Sequence, residues 1–497
     1  MRWAVAGWLA LAGCNQVLGL APTRELDGGA DAVPHVVLDY ALPPTAAGVA
    51  RFAPITPPPA VRIGPLDGAL TDAPYDPDTG WVTIPRAYVG APWRLEYTLD
   101  DGLPREVQWS PGRGHVIVPR FGGVGRGALP AGAGYRINAV FPAMASARVV
   151  TTGVWTTADF DAPLPATVEY DLGTAVAQSG PLAQLTAADV VAVLALSATP
   201  ECSHVAVSGA AAPAGPLGAQ HATLAPPWQT KGVPVADQQI PMALLSRLAR
   251  ELGMLDAGID GDSSFKRVGS LASAGLPAFA SDEGVGARLG GGLPVPVMAT
   301  WLDCHYDAGT LPTASPPDEL SAWPTVLHAQ LGSKRTVAAV GGVALTSGFA
   351  AVAAAGQVPG FRAQLATGVR LSGTGVDLDL SGPADQLALP ATTAPLTLAF
   401  APDIPKPAEQ VALGAPHTDY YVVVLHRIAA GKRVPVRTYT ALTPPIRIDP
   451  GVLAPRTDYV LEIRGVAGQP DAVLGDFSSA SLPASLAVVM TRTFRTP

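Results

Sequence analysis

Fifty-three glycines and 51 prolines, about one residue in five, are spread along the 497-residue chain without a fixed period. Proline removes a backbone donor and glycine carries a high ordering entropy, so breakers at this density leave little room for long helices. Between them lie short runs rich in β-branched and aromatic residues, the pattern of strands joined by turns. The fold class this implies is mainly β. Hydrophobic content of 48% is enough to build real cores. The length suggests about three domains on a prior of ~150 residues each. Charge is sparse at 14% with a net of −8. The chain has no basic face, which argues against nucleic acid as a partner.

From residue 36 to 159 the pattern is all-β. Trp93, Leu95, Tyr97 and Leu99 alternate with Arg94, Glu96 and Thr98, as in a half-buried strand. Asp100-Asp101-Gly102 supplies a turn, and Glu106 to Trp109 returns as the partner strand. Trp81 to Ile84 and His115 to Val118 read as further strands. Residues 160–389 form a middle β-rich unit with the buried-strand run Val190 to Leu196. One short amphipathic helix is expected there, near 241–253. Leu244, Leu245, Leu248, Leu252 and Leu255 make a stripe opposite Arg247, Arg250 and Glu251, with Pro241 and Gly253 as punctuation. Val337 to Ala355 reads as two strands with a turn near Thr346-Ser347-Gly348.

The leader carries a resemblance. Arg2 precedes the apolar run Trp3 to Leu11, and Leu11-Ala12-Gly13-Cys14 follows. This resembles a bacterial lipoprotein signal peptide (residues 1–13) ending in a lipobox, with Cys14 as the lipidated first residue of the mature chain. About eleven apolar residues at ~1.5 Å rise cover roughly half a bilayer core, too short to span it, but a signal-peptide core fits. The resemblance implies a membrane partner through the lipid anchor, with Asn15 after the cysteine leaning toward the outer membrane. Residues 14–35, polar and Gly/Ala-rich, would then be a flexible tether reaching ~25 Å. With Cys14 acylated, Cys202 and Cys304 remain as an even pair in an oxidising compartment, and a disulfide between them is expected; two buried free thiols are the alternative.

Residues 390–497 carry a second resemblance. Pro395 to Pro402, Tyr421 to Leu425, Val434 to Thr440, Ile446 to Ile448 and Val460 to Ile463 read as strands. Leu453-Ala454-Pro455-Arg456-Thr457-Asp458-Tyr459 precedes the last of these. That run resembles a fibronectin type III domain, in which the tyrosine makes the tyrosine corner. The early-strand Trp of that family is absent, and Phe400 holds the apolar position. The expected architecture is therefore tandem β-sandwiches of immunoglobulin or fibronectin III-like type.

Candidate chemistry is thin. Cys202-Ser203-His204 and Asp303-Cys304-His305-Tyr306-Asp307 could supply zinc ligands if brought together, but a disulfide would consume both thiolates. Asp256, Asp260 and Asp262, and separately Asp76-Pro77-Asp78-Thr79-Gly80, are acidic loops without the EF-hand order. Trp81, Trp93 and Trp109 offer either a carbohydrate platform or core. The chain carries no Gly-x-Ser-x-Gly elbow, phosphate loop or dinucleotide fingerprint. The expectation is a lipid-anchored envelope protein with a non-catalytic binding, adhesion or structural role toward an envelope protein or polysaccharide, with no cofactor, metal or catalytic residues assigned. The alternative is a hydrolase acting on glycans from the middle unit.

Overall fold

The structure, a computed structural model, describes residues 33–42, 51–99, 102–109, 115–118, 121–122, 130 and 132–140, then strands alone between 146 and 314. It continues with residues 325–354, 362–381, 386–403, 417–477 and 484–497. Strands dominate the described residues, well above the globular norm, and no helix of seven residues or more occurs among them. The fold is mainly β and built of several sheets, consistent with tandem β-sandwich domains. The helix expected near 241–253 lies outside the described residues, as do the leader and tether.

Three layers position everything that follows. The strands of the central and first covering sheets begin with β1 (Ala60–Pro65), β2 (Trp93–Thr98), β3 (Pro104–Trp109), β4 (Thr325–Val337) and β5 (Val343–Ala354). After them come β6 (Ala366–Gly373), β7 (Val376–Asp379), β8 (Leu396–Pro402), β9 (Tyr420–Ala429) and β10 (Lys432–Ala441). The last are β11 (Ile446–Ile448), β12 (Asp458–Ala467) and β13 (Ala484–Met490). The central layer is a fourteen-stranded sheet that runs, in part, β4-β5-β13-β12-β9-β10-β3-β2-β1. A four-stranded sheet, β7-β6-β8-β11, covers one face. A second, formed by His35–Val37, Tyr75–Asp76, Trp81–Thr83 and His115–Ile117, covers the other.

The pleat decides which residue goes to which layer. On β9, Tyr421, Val423 and Leu425 join Leu371, Leu396, Leu398, Phe400, Ile446 and Leu461 in one core. Their neighbours Tyr420, Val422 and Val424 join Val36, Ile63, Val82, Trp93, Leu95, Val107 and Trp109 in the other. Successive strand residues point to opposite faces, so the unbroken apolar run from Tyr420 to Leu425 is that of a strand buried on both sides. Phe477 closes the second core edge-on to Tyr420 and Trp109, at ring separations of 5.1 and 5.6 Å.

The N-terminal strands do not form a separate bead. β3 runs parallel to β10 and pairs with it through Arg105–Thr438, Glu106–Tyr439, Val107–Thr440 and Gln108–Ala441. The two ends of the chain therefore share one sheet. At the opposite side β5 pairs with β13, and β6 pairs with β8, so both sheets cross the 389/390 position.

One turn differs from expectation. Thr346-Ser347-Gly348 lies within β5, and the chain reverses instead at residues 338–342, where Gly341 and Gly342 take φ of +79° and +73°. Glycine enters that region without the Cβ penalty, whereas Thr346 and Ser347 would pay it.

Candidate functional site

One group of buried ionisable side chains gathers where β1–β3 meet the C-terminal strands. On β2 and β3 the odd-numbered residues Trp93, Leu95, Val107 and Trp109 enter a core. The even-numbered ones face the other way, and Arg94, Glu96, Glu106 and Gln108 are only 4, 7, 2 and 6% exposed. The antiparallel register sets Arg94 opposite Gln108 and Glu96 opposite Glu106. Directly opposed like charges repel, so the two glutamates require cations.

Three elements supply them. Arg437 on β10 pairs with Glu96 and approaches Glu106 Oε2 at 3.6 Å. Arg94 pairs with Asp449, just past β11, and lies 3.5 Å from Glu106 Oε1. Arg62 on β1 donates from Nε to Glu96 Oε1 at 2.8 Å. Asp449 in turn accepts from Arg447 Nε at 3.0 Å. Gln108 completes the seam: its Nε2 donates to Arg447 O at 2.7 Å and to Glu106 Oε1 at 2.9 Å, while its Oε1 accepts from Arg447 N–H at 2.9 Å.

The electrostatics follow from burial. Desolvation pushes the Glu106 carboxyl up to about 7, against the pull of Arg94 and the Gln108 amide. Burial also pushes Asp449 up, but the bonds and charges of Arg94 and Arg447 together outweigh it and hold Asp449 below its ordinary value. Burial lowers Arg437.

A second cluster lies on the other face of the central sheet. Glu462 on β12 meets Arg464 Nε at 2.8 Å, His426 Nε2 at 3.0 Å and Arg433 at 3.3 Å. Burial opposes its ionisation, yet Arg464 and His426 hold the carboxyl far below the usual carboxylate range. The Nδ1 of His426 is buried without a hydrogen-bond partner. Both clusters join neighbouring strands, and their chemistry is charge pairing inside the fold.

The sequence-derived candidates fall in different places. Cys14, Cys202, Cys304, His305, Asp256, Asp260 and Asp262 lie outside the described residues, and so does any Cys202–Cys304 bond. His204 begins a strand, His204–Gly209. Most of 160–389, where the alternative hydrolase reading falls, lies outside the described side chains. In the Asp76 loop, Asp76 accepts from Asp78 N–H at 2.9 Å and from the Thr79 hydroxyl at 2.7 Å. The Thr79 bond, with that from Asp78, lowers the Asp76 carboxyl. Among the described residues no group of three or more His, Cys, Asp or Glu is placed to hold a metal ion.

The tryptophans divide. Trp93 and Trp109 are core at 2% exposure each, and Trp81 is 37% exposed. Trp81 stacks on His35 with ring centroids 3.9 Å apart and planes at 15°. Tyr459, singled out by the Leu453–Tyr459 run, is buried, and its hydroxyl accepts from Ala454 N–H at 2.7 Å.

Sequence reasoning passed over the charged seam, although counting residues outward from the Asp100–Gly102 turn would have set Glu96 against Glu106. No known family model matches the chain, and no curated protein matches it.

Proposed function

We propose that this chain is a lipid-anchored cell-envelope protein, attached at Cys14 to the outer membrane, whose folded part serves a non-catalytic binding, adhesion or structural role. Its C-terminal strands are read as a fibronectin type III-like sandwich. Supporting that reading are the strand order β6-β8-β11 facing β10-β9-β12-β13 and the Tyr459-to-Ala454 hydrogen bond. The lipobox run Leu11-Ala12-Gly13-Cys14 supports the anchor. An acyl chain gains ~0.8 kcal/mol per buried CH₂, so two or more chains on one cysteine hold durably.

The observation that carries the non-catalytic reading is where Glu106, the carboxyl raised toward neutrality among the described residues, sits. A general acid must reach its substrate. Glu106 is 2% exposed and faces Arg94, Arg437 and Gln108 inside a seam between strands. Its charge chemistry is spent on joining sheets. The ligand classes that fit are an envelope protein or a polysaccharide, and among the described residues Trp81, stacked on His35 and 37% exposed, is the aromatic offered to a sugar.

The test is expression of the full chain in a Gram-negative host fed an alkyne fatty acid, beside Cys14→Ser. Label on the wild type in the outer-membrane fraction, lost in the variant, is the expected result. Unlabelled wild type, or equal label in both, would overturn the anchor. Capture of envelope polysaccharide by the wild type and its loss in Trp81→Ala would identify the ligand class.

A further inference from the structure

Glu106 is the carboxylate that loses the competition for Arg94 and Arg437, the two buried arginines of this seam. Arg94 and Arg437 each sit closer to another acid, Asp449 and Glu96 respectively, and reach Glu106 only at 3.5 and 3.6 Å. Glu96 also holds Arg62. The closest side-chain bond to Glu106 comes from the neutral Gln108 amide at 2.9 Å. The charged and titratable groups around it are thus Arg94 and Glu96 on β2, Arg437 and Tyr439 on β10, and Asp449 after β11, with Arg62 of β1 beyond Glu96. When two carboxyls share a site, one of them takes the proton. The place matters because β3 is the strand that joins residues 60–109 to the C-terminal strands, through four residue pairs with β10.

We propose that Glu106 is a proton-operated latch: with its carboxyl protonated the β3–β10 junction is held closed, and loss of that proton loosens it. Protonation removes the repulsion across from Glu96 and lets Arg437 and Arg94 serve one acid each. Opening the junction returns the carboxyl to water, where it binds its proton less tightly. Opening therefore releases a proton and is favoured as pH rises. Burial, which pushes this carboxyl up to about 7, sets the window: opening grows easier as pH rises from about 4.3, the exposed value, and levels off above about 7.

Hydrogen exchange on the full chain, corrected for intrinsic rates, tests the latch. Between pH 6 and 8.5 the amides of 106–108 and 438–441 should open about tenfold more readily in the wild type, and by less than about twofold more in Glu106→Gln. A flat wild type, or the same rise in the variant, would overturn the proposal. Should Glu106→Gln fail to fold, a ¹³C titration of the glutamate carboxyls in the wild type decides. One midpoint above about 6 supports the latch, and none above that value overturns it.

Discussion

The side chain of Gln108 pairs with the backbone of Arg447 as a strand would, donating to its carbonyl at 2.7 Å and accepting from its N–H at 2.9 Å. A residue of β3 thereby stitches the central sheet to β11 of the covering sheet, 339 positions away. Gln108→Ala leaves both Arg447 groups without this partner, and a partly buried polar group stripped of its bond costs ~1–3 kcal/mol. Gln108→Glu should cost more, since it loses the donor and sets a further acid beside Glu106. Urea unfolding followed by tryptophan fluorescence should rank wild type above Gln108→Ala above Gln108→Glu.

Glu462 should govern the acid limit of stability. Its carboxyl is held below the ordinary value in the folded protein. The stability it contributes is thus present above about pH 4.3, the unfolded value, and is lost as pH falls further. Glu462→Gln removes the carboxylate that Arg464 pairs with and that His426 hydrogen-bonds, a loss of ~3–5 kcal/mol near neutrality. Denaturation curves from pH 7 to pH 2 should show the gap between wild type and variant closing below pH ~4. A gap constant with pH would contradict this.

Tyr459→Phe removes the acceptor of the Ala454 N–H and keeps the ring stacked on Phe494. The expected cost is ~1–2 kcal/mol, read as a lower urea midpoint at unchanged slope. A neutral substitution would mean that the hydroxyl adds nothing to the corner.

Trp93 and Trp81 should behave oppositely, because only Trp93 is core. Trp93→Ala is expected to cost ~3–5 kcal/mol. Trp81→Ala should cost under ~1 kcal/mol, the scale of a half-exposed stacked pair. Thermal melts of the two variants check this, and a stable Trp93→Ala would contradict the core assignment.

The strands themselves were legible from short-range pattern. Trp93 to Leu99, the Glu106–Trp109 return and Ile446–Ile448 occur close to where alternation and turn residues placed them. What alternation could not convey is what covers the polar face. Arg94 and Glu96 read as solvent-facing, yet they are buried because Asp449 and Arg437 arrive from more than 340 residues downstream. The apolar run Tyr420 to Leu425 did carry a signal of burial on both faces, because a strand with one wet face would alternate. The turn at Gly341-Gly342 was missed for a local reason: Thr346-Ser347-Gly348 also has turn chemistry, and the pairing of β5 with both β4 and β13 overrode it.

The shared central sheet makes its own demand on the C-terminal region. Tyr420, Val422, Val424, Val466, Leu486 and Val488 are covered by the second core, which residues 36–118 largely build, and β10 is paired with β3. Residues 362–497 expressed alone would bare that apolar face and two unpaired edges, β10 without β3 and β13 without β5, and such surfaces drive association. The decisive measurement is therefore the unfolding transition and dye binding of this fragment beside the full chain. A fragment that binds hydrophobic dye and lacks a cooperative transition is the result expected of one shared sheet. A monomeric fragment that unfolds cooperatively at the full chain's midpoint, without binding dye, would contradict it.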